Sequence, residues 1–255
     1  MVAKYTLLIL VMTFCCTVQG QSETITPASY YFVTFQFPPL EYESENGRPE
    51  GVAVELVQRV MAHLGYAVKI EVFPWTRALN MVKAGKADAI FTAYQNEERA
   101  RYLKYCREVL LPQAVYFYKK QGSAVDFNGD LAQLRGKRIG VVSTISYGKT
   151  FDQYKPDLTL DKANRLEHNF QKLLLDRIDL VPCNIYVARY TLARMHLSQA
   201  IVRLDKPLEN IPSYIAFSSR RNLTALRDRF DAQLVKMKTG AEYGRILSRY
   251  GIGPE

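Results

Sequence analysis

The feature that most constrains the fold is a short apolar run over residues 88–91, followed by a polar turn and an acidic helix start. The run suits a buried parallel strand, and Glu97 and Glu98 suit the positive end of the next helix. A helix N-terminus just beyond a strand is a ready anion site, and Arg99 adds a two-pronged donor for a carboxylate. The alternative is that Arg99 pairs with a neighbouring acid on the surface.

The same alternation of strands and helices extends along the chain. A β-α-β-α-β pattern covers residues 30–99, and a second α/β series covers residues 138–195. Extended segments at residues 114–118 and 214–218 connect the two series, and helices over residues 223–249 close the chain. We therefore expect two α/β lobes joined by two extended crossover segments, with a ligand cleft beyond the strand ends.

The N-terminus predicts export. Lys4 gives a positive start, residues 5–14 form an apolar run, and residues 18–20 offer a small-residue cleavage site. The run is too short to span a bilayer, and no later segment is long and apolar enough, so we expect a soluble exported protein. The predicted ranges are 1–20 for a signal peptide, 21–112 for the first part of lobe 1, 113–211 for lobe 2, and 212–255 for a return strand and helices that complete lobe 1.

The charge of the chain favours anionic partners. The formal net charge is +9, and removal of Lys4 with the signal peptide gives +9 − 1 = +8. The basic residues are scattered among acids and form no block or tail, which is typical of a solvated surface. Nucleic-acid binding is therefore not expected.

The cysteines and histidines give no sign of a metal or cofactor. Cys106 and Cys183 remain after the signal peptide, far apart and in different predicted lobes, so buried free thiols are slightly favoured over a disulfide. His63, His168 and His196 stand at no ligand spacing. We expect no metal site and no cofactor.

Several segments carry a family resemblance. Phe-Pro-Pro-Leu-Glu over residues 37–41 precedes Gly51, and Lys-Ala-Gly-Lys-Ala-Asp-Ala over residues 83–89 precedes the strand before Arg99. Leu-Arg-Gly-Lys-Arg-Ile-Gly-Val over residues 134–141 opens the second lobe. In this order and spacing the chain, from about residue 31 to 250, resembles the family-3 periplasmic solute-binding proteins of the polar amino-acid-binding type, which serve ABC importers. The resemblance implies a type II two-lobe periplasmic-binding-protein-like fold.

The resemblance also implies ligand contacts in lobe 1. Arg99 stands where the family clamps a ligand carboxylate, and Thr92 and Tyr94 stand where neighbours supply hydroxyl or backbone contacts. Phe37 stands where a ring covers the ligand, and Trp75 where a second wall follows the third strand. Phe37 and Trp75 could instead be core residues, and Thr92 could simply cap its turn.

In lobe 2 the resemblance places ligand contacts at a helix start. Ser143, Thr144 and Ser146 match the position where backbone amides and hydroxyls meet the ligand, although they could be helix caps alone. Asn184 stands where family members carry an acid for the ligand's α-ammonium, and a neutral amide does not compensate that charge. Arg77 is either a second positive group at the cleft mouth or a surface residue. A ligand richer in negative charge, such as a dicarboxylate or an acidic amino-acid derivative, fits these substitutions.

Two classes of function follow. The first is a monomeric periplasmic binding protein that captures a small anionic or zwitterionic carboxylate-bearing solute for an ABC permease or a membrane sensor, without catalytic residues. The second is an enzyme on the same scaffold that resembles cyclohexadienyl dehydratases. That chemistry needs a general acid in the cleft, and Glu41 and Glu97 are the acids that the pattern places nearby, both with simpler roles in a loop and a helix start.

Overall fold

The computed structural model describes residues 29–143 and 145–252. The predicted signal peptide and Thr144 lie outside the described residues. The strands are β1 (Ser29–Thr34), β2 (Tyr42–Glu43), β3 (Pro49–Glu50), β4 (Ala67–Val72), β5 (Ala89–Tyr94), β6 (Leu103–Tyr105), β7 (Leu111–Lys120), β8 (Arg138–Val142), β9 (Thr159–Ala163), β10 (Val181–Asn184) and β11 (Ile201–Ser218). The α-helices are α1 (Val52–His63), α2 (Trp75–Lys83), α3 (Glu97–Ala100), α4 (Lys149–Tyr154), α5 (Leu166–Leu174), α6 (Ile185–Arg194), α7 (Thr224–Thr239) and α8 (Ala241–Arg249).

One seven-stranded mixed sheet runs through the molecule in the order β10-β7-β11-β5-β1-β4, with β6 paired to β11. β1 lies parallel to β4 and β5, and α1 and α2 make the crossovers between them. β8 and β9 form a separate parallel pair. Below, lobe 1 and lobe 2 denote the ranges predicted from the sequence.

β7 and β11 are the two extended crossovers between the lobes. They pair antiparallel from Leu111↔Ser213 to Lys120↔Ile201, so each strand runs from one lobe into the other. The sequence predicts only residues 114–118 and 214–218 as extended, whereas β11 alone has 18 residues. The pairing register shifts around Pro207, so this segment lacks the regular alternation by which a strand is predicted from sequence. Its stability comes from pairing with β7.

Each lobe has its own apolar core. In lobe 1, α1 buries Val54, Val57, Val60 and Met61 at helical spacing against the sheet, which agrees with the periodicity expected for residues 51–64. The cores of lobe 2 lie on the other part of the sheet, around buried rings such as Phe117 and Phe170. α7 and α8 pack on α1, so the C-terminal helices return to lobe 1.

The loop after β1 is held close to the start of α1. A bridge joins Phe37 and Glu41, and the peptide bond between Pro38 and Pro39 is cis. Gly51 has φ +118°, and a Cβ there would lie 2.4 Å from the Leu40 carbonyl oxygen. Only glycine allows this backbone contact, which holds the Leu40–Glu41 backbone against the start of α1.

Three further findings concern sequence expectations. Cys106 and Cys183 are buried free thiols. No helix within the described ranges is long and apolar enough to cross a membrane. The second-lobe helix expected from residue 146 begins only at Lys149, because Gly148 at φ +107° precedes it.

Candidate functional site

An aromatic row lies at the carboxyl edge of the lobe 1 strands. Phe35 stacks on Phe37 with ring centroids 5.4 Å apart, and meets Trp75 edge-on at 4.8 Å. The Arg99 guanidinium carbon lies 4.8 Å from the centre of the Trp75 ring system. Arg99 and Phe37, which lie more than sixty positions apart in the sequence, are thus joined through Phe35 and Trp75. A cation on an indole face is favourable.

Arg99 is oriented by its own segment. Its backbone N–H donates to the Asn96 side chain at 2.8 Å, and its guanidinium donates to the Tyr94 carbonyl at 3.0 Å. Within the described ranges Arg99 makes no salt bridge, so the expected alternative of a surface ion pair is not what the structure has. The half-buried guanidinium keeps donors free for an anion.

The helix that carries Arg99 is shorter than expected. α3 has four residues, and its cap bond to Asn96 uses the Arg99 amide. Four residues are too few for a helix terminus that binds anions through its dipole. The anion contact predicted at this place therefore depends on the Arg99 side chain and not on the helix dipole.

A hydrogen-bonded bridge joins the two lobes at the crossover. The Gln113 side-chain oxygen accepts from the Tyr94 hydroxyl at 3.0 Å and from the Asn184 amide at 2.7 Å. Tyr94 ends a lobe 1 strand, Asn184 ends a lobe 2 strand, and Gln113 stands on β7 between them. Phe37 also packs against core residues of both lobes. The cleft edges therefore touch at this point.

Asn184 also caps a helix. Its side-chain oxygen accepts from the backbone N–H groups of Tyr186 at 2.9 Å and Val187 at 3.3 Å at the start of α6. With its amide bound to Gln113, the buried side chain is engaged at both ends. The signal for this role was present in the sequence, since Asn is a preferred N-cap residue.

Glu41 is a fully buried carboxyl group at this edge. Its side chain is 0% exposed and neither carboxyl oxygen has a hydrogen-bond partner. Burial raises the pKa of Glu41 well above its usual range, and the Thr92 hydroxyl opposes that shift only in part. Glu41 is therefore held in its neutral form, next to the predicted contacts Thr92 and Tyr94.

Thr92 and Tyr94 share this environment. Thr92 is buried and has φ 57°, an uncommon conformation for a β-branched residue. Burial raises the pKa of the Tyr94 hydroxyl, while the charge of Arg99 acts in the opposite direction. Local strain and buried polar groups are thus concentrated at one end of β5.

The lobe 2 residues are occupied by local contacts. The Ser143 hydroxyl donates to the Ala163 carbonyl at 3.2 Å, and the Ser146 hydroxyl donates to Asp152. At the start of α4, the backbone N–H groups of Lys149 and Thr150 donate to the Glu209 carboxylate at 3.0 and 3.1 Å. Of the hydroxyls predicted to meet a ligand from this side, those of Ser143 and Ser146 are therefore bound within lobe 2, and Thr144 lies outside the described residues.

Arg77 is exposed and lies away from the aromatic row. Its guanidinium carbon sits 4.4 Å from the centre of the Phe73 ring, and its charge acts on Tyr31 and Glu71. This placement corresponds to the surface alternative that the sequence left open.

Two residues of this site escaped sequence reasoning. Phe35 connects Phe37 to Trp75. It follows a run of other aromatic residues, so nothing in the sequence distinguishes it as a site residue. Gln113 is a buried polar residue in the apolar first part of β7, and that contrast could have singled it out. Within residues 29–143 and 145–252, no group of three or more His, Cys, Asp or Glu could hold a metal ion.

The fold and the site together define a two-lobe α/β binding protein with its polar groups between the lobes. The family model of the bacterial extracellular solute-binding proteins, family 3, matches residues 32–253. The chain belongs to this family, which confirms the resemblance and the fold class expected from the sequence.

Individual relatives are distant. The L-cystine-binding protein TcyJ of Escherichia coli (strain K12) is 20% identical over 146 residues, which are 57% of this chain and 54% of that protein. The chain thus matches about half the length of that curated relative. Among solved structures, a histidine kinase sensor domain similar to periplasmic binding proteins has a TM-score of 0.73 and 18% identity, with 87% of this chain and 95% of that chain covered. The substrate-binding protein of an amino acid ABC transporter has a TM-score of 0.67 and 19% identity, with 88% and 99% covered.

Proposed function

We propose that the protein captures a small carboxylate-bearing solute, an amino acid or a derivative of one, between its two lobes. Arg99 holds the carboxylate, and the aromatic row of Phe37, Phe35 and Trp75 covers the ligand body. The observation that carries the proposal is the Arg99 guanidinium, which is packed on Trp75 and has no acidic partner in the described ranges. A guanidinium in such a setting recognises a planar carboxylate.

Closure of the lobes follows from where these groups stand. Arg99 and the aromatic row belong to lobe 1, so this lobe captures the ligand first. Lobe 2 contacts form only on closure, and they stabilise the closed state by their differential affinity. β7 and β11 are the segments about which such closure turns.

Export and a membrane partner complete the proposal. The family consists of extracellular proteins, and the predicted signal peptide is consistent with a periplasmic protein, which we expect to act as a monomer. The likeness to an ABC transporter's binding protein supports delivery to a permease, and the likeness to a kinase sensor domain supports signalling. A pull-down from solubilised membranes with ligand-loaded protein distinguishes them, because a permease is recovered in the first case and a sensor in the second.

The binding proposal is tested by mass spectrometry and calorimetry. Native mass spectrometry of the freshly purified protein identifies a retained solute, and calorimetry of the stripped protein measures its affinity. We expect a ligand with at least one carboxylate. Binding only of solutes without any carboxylate contradicts the proposal.

We also propose that the protein does not convert its ligand. Glu41 is a neutral buried acid, as a dehydratase would need, but the described cleft edge offers it no paired base or nucleophile. Incubation with prephenate or arogenate is expected to give no turnover. Formation of the dehydrated, decarboxylated product would establish the enzymatic alternative instead.

A further inference from the structure

Buried polar atoms without partners are concentrated at one place in the molecule. Five of the eight such side-chain atoms in the described ranges belong to Thr34, Glu41, Thr92 and Gln113. Leaving a buried polar atom unpaired costs free energy, so natural folds keep few of them without a use.

These four residues come from different elements that meet at the cleft edge. Thr34 ends β1 and Thr92 lies on its parallel neighbour β5, so both are at the carboxyl edge of the sheet. The backbone at Glu41 is held by the contact with Gly51, and the Thr92 hydroxyl acts on the pKa of its carboxyl group, which links Glu41 to this edge. Gln113 is tied to the edge by its bond to the Tyr94 hydroxyl. The cluster thus lies beside Arg99, which contacts the Tyr94 carbonyl.

Apart from the Gln113 amide nitrogen, which is a donor, the unpartnered atoms of the cluster are oxygens that can accept hydrogen bonds. Glu41 offers two carboxyl oxygens, and the two threonines offer hydroxyls that can accept or donate. The charged and titratable groups around it are Tyr94 from β5, Arg99 from α3 and Cys183 from β10, and the last two act on the pKa of the Tyr94 hydroxyl. Arg99 is the positive group of this set and is suited to a ligand carboxylate, which leaves Glu41 to accept from the ligand's other end.

We propose that Glu41 is the acceptor for the ammonium group of the bound ligand, with Thr92 and Thr34 as supporting hydroxyls. This inference rests on the proposed function and names its ligand class as zwitterionic α-amino acids. It places the missing acid in lobe 1, since Asn184 at the lobe 2 position is neutral and already engaged.

Binding is then coupled to proton release. In the free protein the Glu41 carboxyl is neutral because it is buried without a partner. When the ammonium arrives, the carboxyl O–H bond breaks, the proton leaves to solvent, and the carboxylate accepts N–H bonds from the ligand. The ammonium keeps all of its own protons.

The experiment is calorimetry at pH 7 in two buffers of different ionisation enthalpy. The probes are the proteinogenic L-amino acids and L-cystine and, for each binder, the carboxylic acid that lacks its ammonium group. We expect release of about one proton per bound amino acid. Glu41→Gln should weaken amino-acid binding roughly 10- to 150-fold, the effect of losing a hydrogen bond to a charged group.

The controls separate this inference from the proposed function. Glu43→Gln removes an exposed carboxyl two residues away and should bind as the wild type does. Equal affinity for an amino acid and its counterpart without the ammonium, or amino-acid binding without proton release, overturns the inference and leaves the proposed function standing. No binding of any probe contradicts both. Should Glu41→Gln fail to fold, the proton count on the wild-type protein decides alone.

Discussion

The two edges of the cleft differ in how far their polar groups are satisfied within the protein. Lobe 1 presents Arg99 without an ion pair and Glu41 without a hydrogen bond. Lobe 2 has its corresponding groups engaged, with Asn184 capping α6 and Glu209 holding the start of α4. Groups that lack partners are free to bind, whereas satisfied ones stabilise the fold. This difference underlies the proposal that lobe 1 supplies most of the ligand's binding energy and that lobe 2 contacts add to it on closure.

The largest effect on ligand affinity is expected when the cation of lobe 1 is removed. Arg99→Ala should weaken amino-acid binding by about 2–5 kcal/mol, since a buried charge-assisted contact is lost. Calorimetry measures the effect. Arg77→Ala is the matched control, because that arginine is exposed and lies on Phe73. Equal losses in the two variants would show that general positive charge, and not the Arg99 site, attracts the ligand.

The second substitution probes lobe 2. Asn184→Ala leaves two backbone N–H groups and the Gln113 oxygen without a partner, so the free energy of unfolding should fall by about 1–3 kcal/mol. Urea denaturation followed by circular dichroism measures this change. If the variant keeps its stability but loses ligand affinity, Asn184 is a binding residue. Lobe 2 would then contribute to ligand binding through this side chain and not only to the stability of the fold.

The third prediction uses pH. Burial raises the pKa of Glu41 in the folded protein above its ordinary value of 4.5. The contribution of protonated Glu41 to the free energy of unfolding is therefore fully present below about pH 4.5. This contribution is lost as the pH rises towards the folded pKa, by up to about 1.4 kcal/mol per pH unit. Wild-type protein should therefore lose stability relative to Glu41→Gln as the pH rises above about 4.5. Parallel stability curves for the two proteins would contradict a buried neutral carboxyl.

The smallest effect is expected at the lobe 2 loop. Ser146→Ala removes an exposed hydroxyl that donates to Asp152, and should change ligand affinity by no more than about twofold. The same calorimetric titration measures it, with wild-type protein as reference. A tenfold loss would mean that the loop opens its internal bonds to reach the ligand.

Much of the fold could be predicted from local patterns. The β-α-β-α-β pattern predicted over residues 30–99 agrees with the order β1, α1, β4, α2 and β5 in the structure, because hydrophobic periodicity is a local signal. β11 was underestimated because its stability comes from pairing with β7, about a hundred residues earlier at Leu111 and Ser213. Local sequence carries no direct record of such a partner.

The site was predictable to a lesser degree. Family resemblance pointed to Arg99, Trp75 and Phe37, which the structure brings together through Phe35. The bond between Gln113 and Asn184 joins positions 71 residues apart, and no spacing rule indicates it. The burial of Glu41 depends on the whole loop and on Gly51, so its neutral state follows only from the assembled structure.

In the proposed complex, lobe 1 holds both the carboxylate and the ammonium group of an amino acid. A crystal structure of the protein with a bound amino acid tests it most directly. The account predicts the ligand carboxylate on the Arg99 guanidinium and the ammonium within hydrogen-bonding distance of a Glu41 oxygen. A ligand whose ammonium is held by lobe 2 groups, with Glu41 still unpartnered, would contradict it.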